Sequence, residues 1–188
     1  ALNIQFASAN LNDVNLIWNK CTVDGREEDT GRGSNRHGMF TREDNNGWQR
    51  AIGTTFHTDS DNLTLDHFWY PTGNLSYLHC QWCNFDDSVT GTSYCINTNN
   101  GIDGTVAEYV SIRENFMSSD ALWGVDFSNA TNDSGDKTFN NVSLVGNKCE
   151  VSRGFSLHYS LEGGFIAYND IYKNNSTDFA IWNQCDTA

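Results

Sequence analysis

An eight-residue pattern that recurs five times, an asparagine kept at its sixth place, and a near absence of proline predict an all-β chain wound as a solenoid of short parallel strands. The 188 residues are enough for one domain with its own core, and 1–188 reads as a single unit. Asn fills 24 positions and Pro one, Pro71. Tight turns must therefore come from residues that tolerate left-handed backbone, Asn and Gly.

The octet reads VNLIWNKC from Val14, LSYLHCQW from Leu75, VSIRENFM from Val110, VSLVGNKC from Val142 and GFIAYNDI from Gly164. Its third and eighth places are apolar each time, and its sixth is Asn in four of the five, with Cys80 as the exception. Apolar residues at places one and three have the period of a strand, and the two residues before Asn read as a sharp corner. Corner asparagines stacked on one another satisfy buried polar groups pass after pass. Between octets lies a further strand-like segment each time, at 62–69, 92–99, 121–128, 154–160 and 178–184. Octets begin 22 residues apart between Val142 and Gly164 but 32 and 35 apart earlier, so the strands are constant and the loops elastic. A β-sandwich would show hairpin turns and no repeated corner.

This pattern resembles the right-handed parallel β-helix of the pectate-lyase-like superfamily and of phage tailspikes, over most of 1–23 and 62–184. It implies about five to six coils with inserted loops. The segment 24–61 is read as a long insertion or irregular coil. Leu65-Asp66-His67 looks like a pectate-lyase motif, but it falls on a first strand instead of the second-strand corner, and the match is read as accidental.

In the resembled family, polysaccharide lies along the outer face of the first strands. With Leu65, Ile96, Phe127, Leu157 and Ile181 inward, Asp66, Asn97, Asp126, His158 and either Ala180 or Trp182 point outward. Adjacent strands lie about 4.8 Å apart, which would make Asp126 and His158 neighbours, with Asp66 roughly 10 Å off. A lyase acting on a uronic acid needs a cation, a base and help for the leaving oxygen. Asp66 and Asp126 are the candidate Ca²⁺ ligands, Arg153 or His158 the candidate base, Trp182 or Trp123 the sugar platform, and Asn97 a further substrate contact. A glycoside hydrolase would use two carboxylates, such as Asp126 and Asp178. Against these roles stands the plain fact that the outer face of any such scaffold is polar. His79, Arg113 and Glu114 read as solvated turn residues, and Arg26-Glu27-Glu28-Asp29 as a solvated loop.

The net charge of −13, without a basic cluster, argues against nucleic acid as a partner, and no stretch approaches the roughly 18 apolar residues of a membrane span. The six cysteines are scattered, which leaves disulfides or buried thiols, and Cys80-Gln-Trp-Cys83 lacks the βαβ context of a redox motif. Sequons at Asn62, Asn74, Asn129, Asn132, Asn141, Asn174 and Asn175 fit a secreted or surface glycoprotein. The expected function is an extracellular domain that binds or cleaves polysaccharide or surface glycan. Uncapped ends add a second expectation, a glycosylated surface subunit whose copies stack head to tail into an oligomer or filament.

Overall fold

The computed structural model describes residues 2–6, 15–19, 21–24, 37–58, 67–87, 94–97, 107–118, 123–127, 138–157, 160–173 and 180–183. They form strands, with no helix among them. In chain order these are β1 (Leu2–Phe6), β2 (Asn15–Asn19), β3 (Thr22–Asp24), β4 (His37–Ile52), β5 (Thr55–Thr58), β6 (His67–Gln81), β7 (Asn84–Asp87), β8 (Tyr94–Asn97), β9 (Ala107–Arg113), β10 (Phe116–Ser118), β11 (Trp123–Phe127), β12 (Thr138–Val145), β13 (Lys148–Val151), β14 (Arg153–Leu157), β15 (Ser160–Ala167), β16 (Asp170–Lys173) and β17 (Ile181–Asn183).

The larger sheet has eleven strands and the smaller six, in the order β16-β13-β10-β7-β5-β3, and the paired strands are parallel throughout. The larger sheet divides into two runs because β4 and β6 are each long enough to belong to both. The first half of β4 pairs with β1 and the second half with β2, and the register between β4 and β6 shifts around Gly47. The first run is thus β1, early β4, early β6, β8, β11, β14 and β17. The second is β2, late β4, late β6, β9, β12 and β15, and the smaller sheet is the third. The chain visits the runs in the same order on every pass. β4 and β5 lie within 24–61 and pair in this same arrangement. Pro71 sits in β6 between the last pair with β8, at Trp69, and the first with β9, at Leu75, where a missing N–H costs no ladder bond on that side.

Register corrects the octet alignment. Leu16 pairs with Gln49 and Leu78 with Val110, so the first octet begins at Leu16 and the Leu75 octet at Leu78, while Gln49–Phe56 is a further one. Once Leu16 and Leu78 head their octets, the corner column reads Cys21, Thr54, Cys83, Asn115, Asn147 and Asn169, and Cys83 stands where Cys80 was expected. Apolar, β-branched and Cys residues in the neighbouring segments allowed either alignment, since a slip of two residues preserves strand parity. A slip of three was hidden because Tyr77 and Trp82 are apolar too.

The corner is held by one repeated set of hydrogen bonds. Asn115 Nδ2 donates to Asn147 Oδ1 (2.9 Å) and Asn147 Nδ2 to Asn169 Oδ1 (2.9 Å). The corner N–H groups of Cys83, Asn115 and Asn147 each donate to the amide oxygen one pass later. Each amide also reaches back to a carbonyl three residues before the previous corner: Asn115 to Cys80, Asn147 to Ile112, Asn169 to Leu144. Cys83 Sγ makes the equivalent bond to the Ala51 carbonyl at 3.4 Å, which shows how a thiol substitutes for the amide. The residue before each corner from Thr54 to Asn169 takes the left-handed conformation, at Gly53, Trp82, Glu114, Gly146 and Tyr168.

Between the runs, inward side chains stack in register. Phe56, Phe85, Met117 and Cys149 form one column, with the Phe56 and Phe85 rings 4.6 Å apart, and Ala51, Cys80, Ile112 and Leu144 another. All eight are fully buried, worth roughly 1.5–3 kcal/mol for each large side chain. At Gly154 a Cβ would collide with the Ala180 carbonyl oxygen and lie 2.8 Å from Ile171 Cδ1, so the inner corner between third and first runs requires glycine. Ile181, expected inward, is 45 % exposed, because β17 has no later strand upon it among the described residues. Cys21, Cys80, Cys83 and Cys149 are free thiols and Cys95 is buried, so the described cysteines pack as buried or half-buried hydrophobes.

Candidate functional site

Alternation gives the first and second runs an outer face each. On the first run, register sets His67, Tyr94, Trp123 and Arg153 in one column and Asn97, Asp126, Ser156 and Trp182 in the next. His67 stacks on Tyr94 (5.0 Å) and on Tyr70 (4.5 Å), and the Arg153 guanidinium lies 5.0 Å from the Trp123 ring centre. Asp126 therefore neighbours Asn97 and Ser156, not a residue at 158, since the partner of Phe127 is already Leu157.

The expected display to solvent is also absent. Asp126 is 1 % exposed, Trp123 6 %, and Asn97 and Ser156 are buried. An enclosed carboxylate and an indole covered by guanidinium cannot lie against a polymer as they stand. No three His, Cys, Asp or Glu side chains gather as metal ligands among the described residues, and the register neighbours of Asp126 are Asn97 and Ser156. Asp66, His158 and Asp178 lie outside the described residues, as do Asn62, Asn129, Asn132, Asn174 and Asn175. Asn74 falls within β6. Asn141 is exposed, has left-handed backbone, and donates from Nδ2 to the Glu108 carbonyl at 3.1 Å.

The second run carries a different surface. Its register generates a grid of three columns on β4, β6 and β9: Trp48, Tyr77, Tyr109; Arg50, His79, Ser111; and Ile52, Gln81, Arg113. Trp48 is 47 % and Tyr109 52 % exposed, with half-buried Tyr77 between them and the Trp48 and Tyr77 ring centres 5.4 Å apart. These aromatics stand one place before each octet. Starting the Leu75 octet three residues early concealed that column; with Gln49, Leu78 and Val110 as heads, it is legible in the sequence.

A chain of hydrogen bonds fixes the middle of the grid. Gln81 Nε2 donates to Glu114 Oε2 at 2.9 Å, which turns Gln81 Oε1 toward His79 Nε2 at 3.2 Å. An amide oxygen only accepts, so His79 carries its proton on Nε2, and Nδ1 accepts from the Tyr77 hydroxyl at 3.4 Å. His79, expected as a solvated turn residue, is 7 % exposed. Burial lowers its pKa first, then the Arg50 guanidinium; the Gln81 bond opposes the shift and Arg113 adds to it. The imidazole is held neutral. The hydrogen bond from Gln81, with a lesser one from Trp82 and the charge of Arg113, keeps the exposed Glu114 carboxyl below its usual range. The result is a row of exposed aromatic faces beside oriented polar groups and two guanidinium groups.

The chain matches no protein-family model, no curated protein and no solved structure.

Proposed function

We propose that this chain is a right-handed parallel β-helix, secreted or held at a cell surface, that binds polysaccharide along the outer face of its second run. Supporting the architecture are the fixed order of three parallel runs, six times complete and once begun by β17, and the corner ladder. The hand follows the general rule for crossovers between parallel strands.

The row Trp48, Tyr77 and Tyr109 carries the binding reading. Exposed aromatic side chains in one line are costly to leave in water, and sugar rings offer them apolar C–H faces while their hydroxyls seek hydrogen-bond partners. The row crosses the strands, advancing about 4.8 Å per strand, which suits successive rings of an extended glycan. The Tyr77–His79–Gln81 chain supplies polar groups already oriented for hydroxyls. Ligand sites combine apolar walls with a few fixed polar groups in this way.

Native electrophoresis through gels containing a panel of polysaccharides tests the reading. At least one polymer should retard the protein, and Trp48→Ala or Tyr109→Ala should weaken retardation by about tenfold each, in the range of exposed aromatic anchors. Failure of every polymer to retard the protein, or full retardation of the double variant, overturns it.

A further inference from the structure

Resting on that reading, we infer that the second-run face selects glycans bearing anionic substituents, carboxylate or sulfate, through Arg50 and Arg113 on either side of His79. The chain has 24 acidic and 11 basic residues, so an arginine meeting carboxylates by chance would usually find one. Neither Arg50 nor Arg113 has a carboxylate ion-pair partner among the described residues, where the ion pairs are His57 with Asp86 and Lys148 with Glu150. Glu114, next to Arg113, feels its charge but makes its hydrogen bond to Gln81, not an ion pair with the guanidinium.

Arg50 adds an observation of its own. It is half-buried, and its Nε is enclosed with no hydrogen-bond partner among the described residues. A guanidinium drawn partly out of water without a counter-charge is a desolvation cost that a bound anion would offset. Two strand spacings and two residues along the strand separate Arg50 from Arg113, about 12 Å between Cα atoms, which spans more than one sugar and favours a polymer charged at regular intervals. His79 adds no third positive charge, because both its nitrogens are committed within the Tyr77–Gln81 chain. The surrounding net charge of −13 repels polyanions, so the two arginines are what admits them to this face.

The experiment compares three polymers in affinity electrophoresis: a polyuronate, the same polymer after reduction of its carboxyls to neutral hydroxymethyl groups, and a sulfated glycan. The intact polyuronate or the sulfated glycan should bind about tenfold tighter than the reduced polymer, and whichever is tighter identifies the substituent. In Arg50→Gln and in Arg113→Gln the preference for charged over neutral polymer should fall several-fold, and added salt should erode it in the parent protein. Arg113 is exposed, so its replacement tests the idea even if Arg50→Gln unfolds. Equal binding of charged and reduced polymer, or a preference unmoved by both substitutions, overturns the charge selectivity while leaving glycan binding in place. Binding of none of the three with Trp48→Ala also inert overturns the glycan reading and this one together.

Discussion

Replacing Asn147 by Ala should cost about 4 kcal/mol, several times the cost of the same change at Asn169, although both are corner asparagines with nearly the same bonding pattern. Asn147 is fully buried. Its Oδ1 accepts from the backbone N–H and the side-chain amide of Asn115, and its Nδ2 donates to the Ile112 carbonyl and to Asn169 Oδ1. Truncation strands at least the Asn115 N–H and the Ile112 carbonyl, each costing about 1–3 kcal/mol when orphaned in a dry interior. At Asn169 the ladder ends among the described residues and the side chain is half-exposed, so water can take over and about 1 kcal/mol is expected. Urea unfolding followed by tryptophan fluorescence gives both values by linear extrapolation. Equal losses in the two variants, or less than about 1 kcal/mol at Asn147, would refute the ladder as a cooperative buried element.

Gly154→Ala should destabilise by about 2–4 kcal/mol, because the added methyl meets the Ala180 carbonyl and Ile171 with nowhere to go; an unchanged urea midpoint would contradict the packing. His79 contributes to pH dependence with a definite sign. Its folded pKa lies below the ordinary imidazole value of about 6.5, so the unfolded chain takes up the proton first, and stability is full above that value and falls as pH drops through it. The groups facing it, Arg50, Arg113, Tyr77 and Gln81, add no carboxylate to reverse that sign. His79→Gln should flatten the difference in unfolding free energy between about pH 8 and pH 5 relative to the parent; a steeper loss in the variant would contradict the neutral assignment.

Much of this architecture is legible in the sequence, and the reasons are local. Corner Asn115, Asn147 and Asn169 stand out because an amide has two N–H donors and an acceptor oxygen, enough to bond the next corner, the previous corner and a carbonyl at once. Where the corner is Cys21, Thr54 or Cys83 the chemistry is carried by a hydroxyl or thiol donating to backbone carbonyls, and no residue type announces it. The strands of 24–61 were opaque for that reason: Gln49–Phe56 has Gln at its first place, Ala at its third and Thr at its corner. The direction of alternation on the first run was legible at Ile96 and Phe127, but register and enclosure were not. Which strand residue lies beside Asp126 depends on Gly124 and Gly154 at the inner corner, and how deeply it is enclosed depends on contacts far along the chain. The aromatic column needed only the correct octet origin.

Hydroxyl-radical footprinting read by mass spectrometry, with and without the polysaccharide that retards the protein, tests the central claim most directly. In the free protein Trp48 and Tyr109 should oxidise readily while buried Trp69 and Trp123 stay inert, and polysaccharide should protect Trp48 and Tyr109 but not exposed Tyr168. Oxidation of Trp123 in the free protein, with protection there and none at Trp48 or Tyr109 on binding, would place the ligand on the first run and contradict the account.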